Sequence, residues 1–299
     1  MIEKGKILIL GSGSFLAKQT LDFMLKEGFA VFTVSRGNSN NTAVNEHFIG
    51  SCFNHDFLSE VIAKVNPEVI LSFIGGPSVN GRYSKLLQLN CGVLELLNRF
   101  SLDGVRIISL GSAAEYGAAD MEYLSEDGPV LPSSDYGHAK LAQSALAVGF
   151  NQVSRSNVSI LRVFNLFGKG TPASAISEKI HQKVKNIAEG ESLVLDDPEM
   201  ARDFLDVQDV ACGIVSFIKS DSVSGIYNLC SGRSLSLAEL ASAFLKESGK
   251  ASEVKAAVNP RYFSLVRRAV GSNVKFLNST GWLPQQSLQD SVRAQIGIS

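Results

Sequence analysis

The sequence predicts an α/β fold, a doubly wound parallel sheet. Three observations predict it. Short apolar runs alternate with amphipathic helical stretches over most of the chain, the pattern of parallel strands covered by helices on both faces. The first run ends in a glycine-rich turn that opens a helix. The 299 residues are enough for one large α/β domain with a lobe, or for two domains.

The first strand is Lys6-Ile7-Leu8-Ile9-Leu10, short and continuously apolar. Gly11-Ser12-Gly13-Ser14-Phe15-Leu16-Ala17 follows, then a helical pattern through Leu21, Met24 and Leu25 that Gly28 ends. Strand, glycine turn and helix suit the opening unit of a dinucleotide site, with a plain strand-to-helix turn as the alternative. Small residues at Gly11, Gly13 and Ser14 let the backbone approach a pyrophosphate. The helix start at Phe15-Leu16 offers it N–H groups.

The second strand, Ala30 to Val34, ends in Ser35-Arg36 with no carboxylate. An NAD site usually puts an acidic residue there for the ribose 2′-OH. A hydroxyl and a guanidinium suit a 2′-phosphate better. NADP is therefore the expected cofactor, with NAD as the alternative and a solvated loop arginine as the plainer reading. Asn38 to Asn45 reads as a polar turn, and Phe48-Ile49 as a weak third strand. His55-Asp56-Phe57-Leu58 opens a helix, where Asp56 is an N-cap or a contact to the adenine amine.

Pro67 to Ile74 is the fourth strand, closed by Gly75-Gly76-Pro77. Tyr83 to Phe100 is an amphipathic helix with Asn90 in its middle, either solvated or marking a kink or water contact. Val105 to Leu110 is the fifth strand. Ser112 follows at its mouth, where it could bond a substrate carbonyl or serve as an ordinary turn serine. Tyr136 opens a helix that runs to about Val153. Val158 to Val163 is the sixth strand. Thr171 to Ala188 reads as a helix and Ser192 to Leu195 as a short strand. Arg202-Asp203-Phe204-Leu205-Asp206-Val207 is expected to return to the main sheet. A helix from Gln208, a strand from Gly225 and helices beginning after Ser236 and Ser287 complete the chain.

Tyr136 and Lys140 are four residues apart, so they share a helix face. A free tyrosine has a pKa of about 10 and is a poor base at neutral pH. A nearby cation favours the phenolate. On this reading Lys140 lowers the Tyr136 pKa, and Tyr136 moves a proton on or off a carbinol oxygen.

Composition excludes several functions. Apolar residues make up 45% and charged residues 19%, with a net charge of −1. No basic field points to nucleic acid or anionic lipid. Cys52, Cys91, Cys212 and Cys230 are scattered, and the histidines show no ligand spacing. These fit reduced cytosolic thiols and no metal site. The N-terminal apolar run is too short for a signal peptide, and no run approaches the ~20 residues of a membrane span. A cytoplasmic protein with no membrane partner is expected.

The glycine loop, Ser112, Tyr136-x-x-x-Lys140, Arg162-x-x-Asn165 and Arg202-Asp203-Phe204 occur in that order. This resembles the extended short-chain dehydrogenase/reductases that act on nucleotide sugars. Leu161 to Gly170 and Gly271 to Pro284 look most like the 4-keto-6-deoxy-sugar-nucleotide reductases. The resemblance implies that Tyr136 is the proton donor or acceptor, that Lys140 bonds the nicotinamide ribose, and that Ser112 holds the carbonyl. It implies Asp56 at the adenine and Asn165 and Arg202 near the substrate diphosphate. It also implies a dinucleotide domain of residues 1–167 and 200–232, a smaller C-terminal substrate-binding lobe of 168–199 and 233–299, and a homodimer through the Tyr83 and Tyr136 helices.

Three departures qualify it. Ser14 and Ala17 stand where glycines are usual. Ser72 replaces a common histidine. Ala113 and Ala114 replace the acidic pair of the 4,6-dehydratases, so elimination lacks its acid and base. The expectation is an NADP-dependent reductase of a nucleotide-linked 4-keto-6-deoxyhexose. A 4-epimerase that retains NAD is the rival, and a non-catalytic dinucleotide sensor is the third reading.

Overall fold

The computed structural model describes residues 4–38, 43–76, 83–100, 102–119, 121–154, 156–258 and 266–298. Part of the expected polar turn (39–42) and Pro77 lie outside them. The apolar runs form β1 (Lys4–Leu10), β2 (Phe29–Ser35), β3 (Glu46–Ile49), β4 (Val69–Ser72), β5 (Arg106–Ser112) and β6 (Asn157–Val163). With Gly225–Leu229 they make a seven-stranded sheet, in the order Gly225–Leu229, β6, β5, β4, β1, β2, β3. Every pairing in it is parallel. All four residues of β4 are buried, as a central strand with helices on both faces requires.

The helices are α1 (Phe15–Lys26), α2 (His55–Val65), α3 (Tyr83–Leu97) and α4 (Asp135–Val153), with Val207–Lys219 further on. On one face of the sheet, Leu21 and Met24 of α1 pack with Val210 and Ile214. On the other, Leu58 and Val61 of α2 pack with Val93 and Leu94 of α3 and Ala147 of α4. The strand order reverses between β1 and β4. The crevice at their carboxyl ends is the position where such sheets bind ligands.

Helices Ile176–Asn186, Leu237–Glu247 and Leu288–Ile296 share a separate apolar cluster that includes Ile180, Val184, Leu240, Phe244 and Val292. Phe276 and Trp282, in the tail that the sequence reading gives to the lobe, pack with Phe217 and Tyr227 against the large sheet.

Two local expectations are corrected. Arg202–Val207 does not return to the main sheet. Ala201–Arg202 pairs with Leu235–Ser236 and Arg268–Ala269, and Phe204–Asp206 pairs with Asn165–Phe167 beyond the end of β6. The cause is Asp203, which is fully buried and accepts hydrogen bonds from the Ser231 N–H and hydroxyl and from the N–H groups of Gly232 and Gly271. The cap of α2 is Asn54, whose side chain accepts the Phe57 N–H at 3.0 Å. Asp56 lies in the first turn, exposed, 3.1 Å from His55 Nδ1. Among the described residues no helix is long and apolar enough to cross a membrane.

Candidate active site

Gly11 sits at φ +78°, and a Cβ there would lie 2.9 Å from Ile74 Cγ1. Only glycine takes this turn without strain. The N–H groups of Gly11 and Ser12 donate to the Val34 carbonyl, which fixes the loop over the end of β2. Ser14 caps α1, its hydroxyl accepting the Ala17 N–H at 3.3 Å. The serine that replaces a glycine thus closes the helix start. The N–H groups of Phe15 and Leu16, in the first turn, have no helical acceptor.

At the end of β2 the Ser35 hydroxyl donates to the Gly37 carbonyl at 2.6 Å. His47, from β3, braces the same corner. Its Nε2 is 2.9 Å from the Gly37 carbonyl and its Nδ1 is 2.8 Å from Thr33 Oγ1. The carbonyl can only accept, so Nε2 carries a proton. Arg36 is exposed beside this corner. Its charge acts on Cys52, although burial, the larger effect, pushes that thiol up to about 11. Cys52 also bonds the Gly11 backbone, which puts it next to the glycine loop.

The reacting set lies across the sheet from this corner. Ser134 caps α4 by accepting the Gly137 N–H at 3.1 Å, and Asp135 adds a favourable charge to the first turn. Gly137 lets that turn press against the loop after β5, because a Cβ there would collide with the Ala114 carbonyl. This contact brings Tyr136 beside Ser112, whose hydroxyl favours the ionised phenol.

Lys140 is buried one turn on. Its Nζ donates to the Leu110 carbonyl at 2.6 Å and to Gln143 Oε1 at 3.0 Å, and Gln143 in turn donates to Ser109 Oγ. Asn90 of α3 is buried, not solvated. Its amide donates to the Leu86 carbonyl while Oδ1 has no partner among the described residues.

The expected direction of the Tyr136 shift is reversed. Burial pushes the phenol up to about 12, the Ser112 hydrogen bond pulls it down, and the Glu115 charge pushes it up again. Lys140 does not offset this, because its ammonium is turned to Leu110 and Gln143 and lies 5.9 Å from the centre of the Tyr136 ring. Burial lowers the Lys140 pKa to about 8, against the opposing charges of Glu115 and Cys91.

Two clefts meet at these residues. One, of about 380 Å³, runs from Ser14, Phe15 and Leu16 past Gly75 to Ser112, Tyr136 and Lys140. The other, of about 590 Å³, is lined by Ser112, Ala113, Ala114, Tyr136, Asn165 and Arg202. Asn165 donates to the Asp203 carbonyl at 3.0 Å, and Arg202 to the Ala201 carbonyl at 2.8 Å. Ser112 and Tyr136 stand in the wall common to both.

A family model described as the NAD dependent epimerase/dehydratase family matches residues 7–230. The chain belongs to that family. It is accordingly an NAD(P)-dependent nucleotide-sugar enzyme of the epimerase, dehydratase or reductase kind. It is 25% identical over 304 residues to a putative UDP-glucose 4-epimerase of Methanocaldococcus jannaschii, with 96% of each chain covered. It is 25% identical over 241 residues to the GDP-6-deoxy-D-mannose reductase of Pseudomonas aeruginosa, covering 76% of this chain and 79% of that one. Its fold is that of the Thermotoga maritima UDP-glucose 4-epimerase solved with UDP-glucose (TM-score 0.83, 19% identity, 98% and 97% covered). It is equally that of RMD from Pseudomonas aeruginosa complexed with NADPH (TM-score 0.79, 20% identity, 97% and 96% covered).

Of the residues expected from the sequence, Ser112, Tyr136, Lys140, Asn165, Arg202 and Ser14, Phe15 and Leu16 line the two clefts, while Gly11, Gly13, Ser35, Arg36 and Asp56 do not. Sequence reasoning missed His47, Gln143 and the buried Glu115. His47 had a signal, since it lies on β3 beside the end of β2. Glu115 had no sequence signal, because its burial depends on Arg162 of β6.

Proposed function

We propose that this chain reduces the 4-keto group of a nucleotide-linked 4-keto-6-deoxyhexose with NADPH. The observation that carries the proposal is the shared wall. Ser112 and Tyr136 face both the cleft that starts at Ser14, Phe15 and Leu16, where the glycine turn enters α1, and the cleft lined by Arg202 and Asn165. The reduced dinucleotide, when bound, supplies the hydride. The residues present suit it: a glycine turn with no room for a Cβ, a helix start, and Ser35 and Arg36 in place of a carboxylate. On the substrate side, Arg202 supplies positive charge for a diphosphate and Asn165 a neutral amide.

The chain's own chemistry is a proton transfer. The Ser112 hydroxyl holds the keto oxygen, and Tyr136 donates its proton to that oxygen as negative charge develops there. A phenol pushed up to about 12 holds its proton at neutral pH. Ala113 and Ala114 line the sugar side, and Glu115 is tied to Arg162, which leaves no carboxyl among the described lining residues for dehydration.

A retained-cofactor 4-epimerase is the second reading, favoured by the archaeal relative's match over 96% of both chains. We further propose a homodimer through the outer face of α4, where Ala142, Ala145, Gly149 and Phe150 line a shallow apolar hollow. Incubation with NADPH and a panel of 4-keto-6-deoxy-sugar nucleotides tests the leading reading. Stoichiometric loss of NADPH supports it. Interconversion of an unmodified UDP-sugar with no net redox change refutes it.

A further inference from the structure

Glu115 is fully buried, 0% exposed, and touches neither cleft directly. Its carboxylate is held from three directions. Oε1 accepts the Ser112 N–H at 2.9 Å. Oε2 accepts the Ser144 hydroxyl at 2.6 Å and Arg162 Nε–H at 2.8 Å. Ser144 lies one turn after Lys140 on α4. Glu115 thereby ties the main chain of the serine to the helix that carries the tyrosine and the lysine.

The tie continues outward. Arg162, 2% exposed, donates to the Tyr116 hydroxyl at 3.0 Å. Tyr116 donates to Asn228 Oδ1 at 2.7 Å, and the Asn228 amide donates to the Leu124 and Ser272 carbonyls. Leu124 bridges to Gly271, two residues from Ala269 in the sugar-side wall.

Stability alone does not explain this arrangement. A buried ion pair can often be replaced by apolar residues of similar volume without loss, because desolvation offsets most of the attraction. Its place beneath the reacting set does explain it. Among the described residues, the titratable and charged groups facing Lys140 are Tyr136 on its own helix, Cys91 on α3 and Glu115 from the turn after β5. Among them Glu115 is the carboxylate.

We propose that Glu115 is the positioning residue of this site. Its carboxylate fixes Ser112 against α4, couples both to the sugar-side loops through Arg162 and Tyr116, and places a negative charge on the α4 turn that follows Lys140. The proposal rests on the reading of Ser112, Tyr136 and Lys140 as the reacting set. Burial lowers the Lys140 pKa and the Glu115 charge opposes that, consistent with the geometry.

Glu115→Gln tests it. The amide has one oxygen, so a donor must face either the Ser112 N–H or the Arg162–Ser144 side. The first readout needs no substrate: NMR titration of lysine labelled at Cε, with the Lys140 signal assigned by its loss in Lys140→Met. The expected result is a fall in the Lys140 pKa of about one unit or more. The second is steady-state kinetics. The expected result is a kcat lower by about 10- to 100-fold with the KM for NADPH changed less than about threefold. Glu115→Asp, which keeps the charge, should restore the Lys140 titration.

If Glu115→Gln does not fold, Glu115→Gln with Arg162→Met removes both charges and is read in the same two ways. An unchanged Lys140 titration and an unchanged kcat per folded molecule, with only a lower Tm, overturn the proposal. A shifted Lys140 in a chain whose wild type turns over no keto-sugar nucleotide upholds the positioning role and sinks the substrate reading instead.

Discussion

Lys140 Nζ sits 5.9 Å from the centre of the Tyr136 ring, yet it gives its hydrogen bonds to the Leu110 carbonyl and to Gln143. In this geometry the lysine's hydrogen bonds go to the cleft floor and not to the phenol. Its ammonium crosses under the end of β5 and fixes the floor of the cleft, while the phenol stays protonated and points its hydroxyl at Ser112.

Tyr136→Phe should remove the proton donor and little else. General acid catalysis is worth about 10²- to 10⁴-fold, so kcat should fall by that amount. NADPH affinity, read by fluorescence titration, should stay within about threefold, because the glycine loop is untouched. A variant that keeps wild-type turnover removes Tyr136 from the mechanism.

Activity should fall as pH rises through about 8. Burial brings the Lys140 pKa down to about 8, so the ammonium present at neutral pH is lost above it. A profile of kcat/KM against pH should show this alkaline limb. Tyr136, pushed up to about 12, stays protonated across the same interval. A flat profile to about pH 10, near the ordinary lysine value, contradicts the assignment.

Arg36→Ala should weaken NADPH more than NADH. A charge-assisted contact to a 2′-phosphate is worth about 1.5–3 kcal/mol, roughly 10- to 100-fold in Kd. NADH has no group for the guanidinium to meet and should change less than about threefold. Isothermal titration of both cofactors against wild type and variant reads the difference. Equal losses point to a loop arginine with no part in selectivity.

Asp203→Ala should destabilise the fold by about 2–4 kcal/mol, since it strands donors of the 231–232 and 271 segments. The pH dependence has a definite sign. Burial raises the Asp203 pKa from 3.8 to about 6, so the native state binds the proton more tightly than the unfolded chain. That contribution is fully present below pH 3.8 and is lost as pH rises through about 6. Urea melts at several pH values should show the slope in wild type and a weaker one in the variant.

The sheet was legible because it depends on local signals: apolar runs, caps and glycine turns. Ser134, Ser236 and Ser287 cap the helices that the pattern places after them. The path of Arg202–Val207 was not legible. Its direction depends on Asp203 meeting donors 28 to 68 residues away. The same holds within the site. Spacing put Tyr136 and Lys140 on one face, but the acidity of the phenol depends on its desolvation and on a carboxylate from another element. The burial of Glu115 depends on Arg162, which β6 delivers from 47 residues away.

Transfer from NADPH carrying deuterium at the reactive nicotinamide carbon is the most direct test of the central claim. With a nucleotide-linked 4-keto-6-deoxyhexose, the account predicts a reduced sugar bearing the label at C4, one per NADPH consumed, and its loss in Tyr136→Phe. An unlabelled product, or a 4-epimer formed from an unmodified sugar nucleotide with NADPH intact, contradicts it.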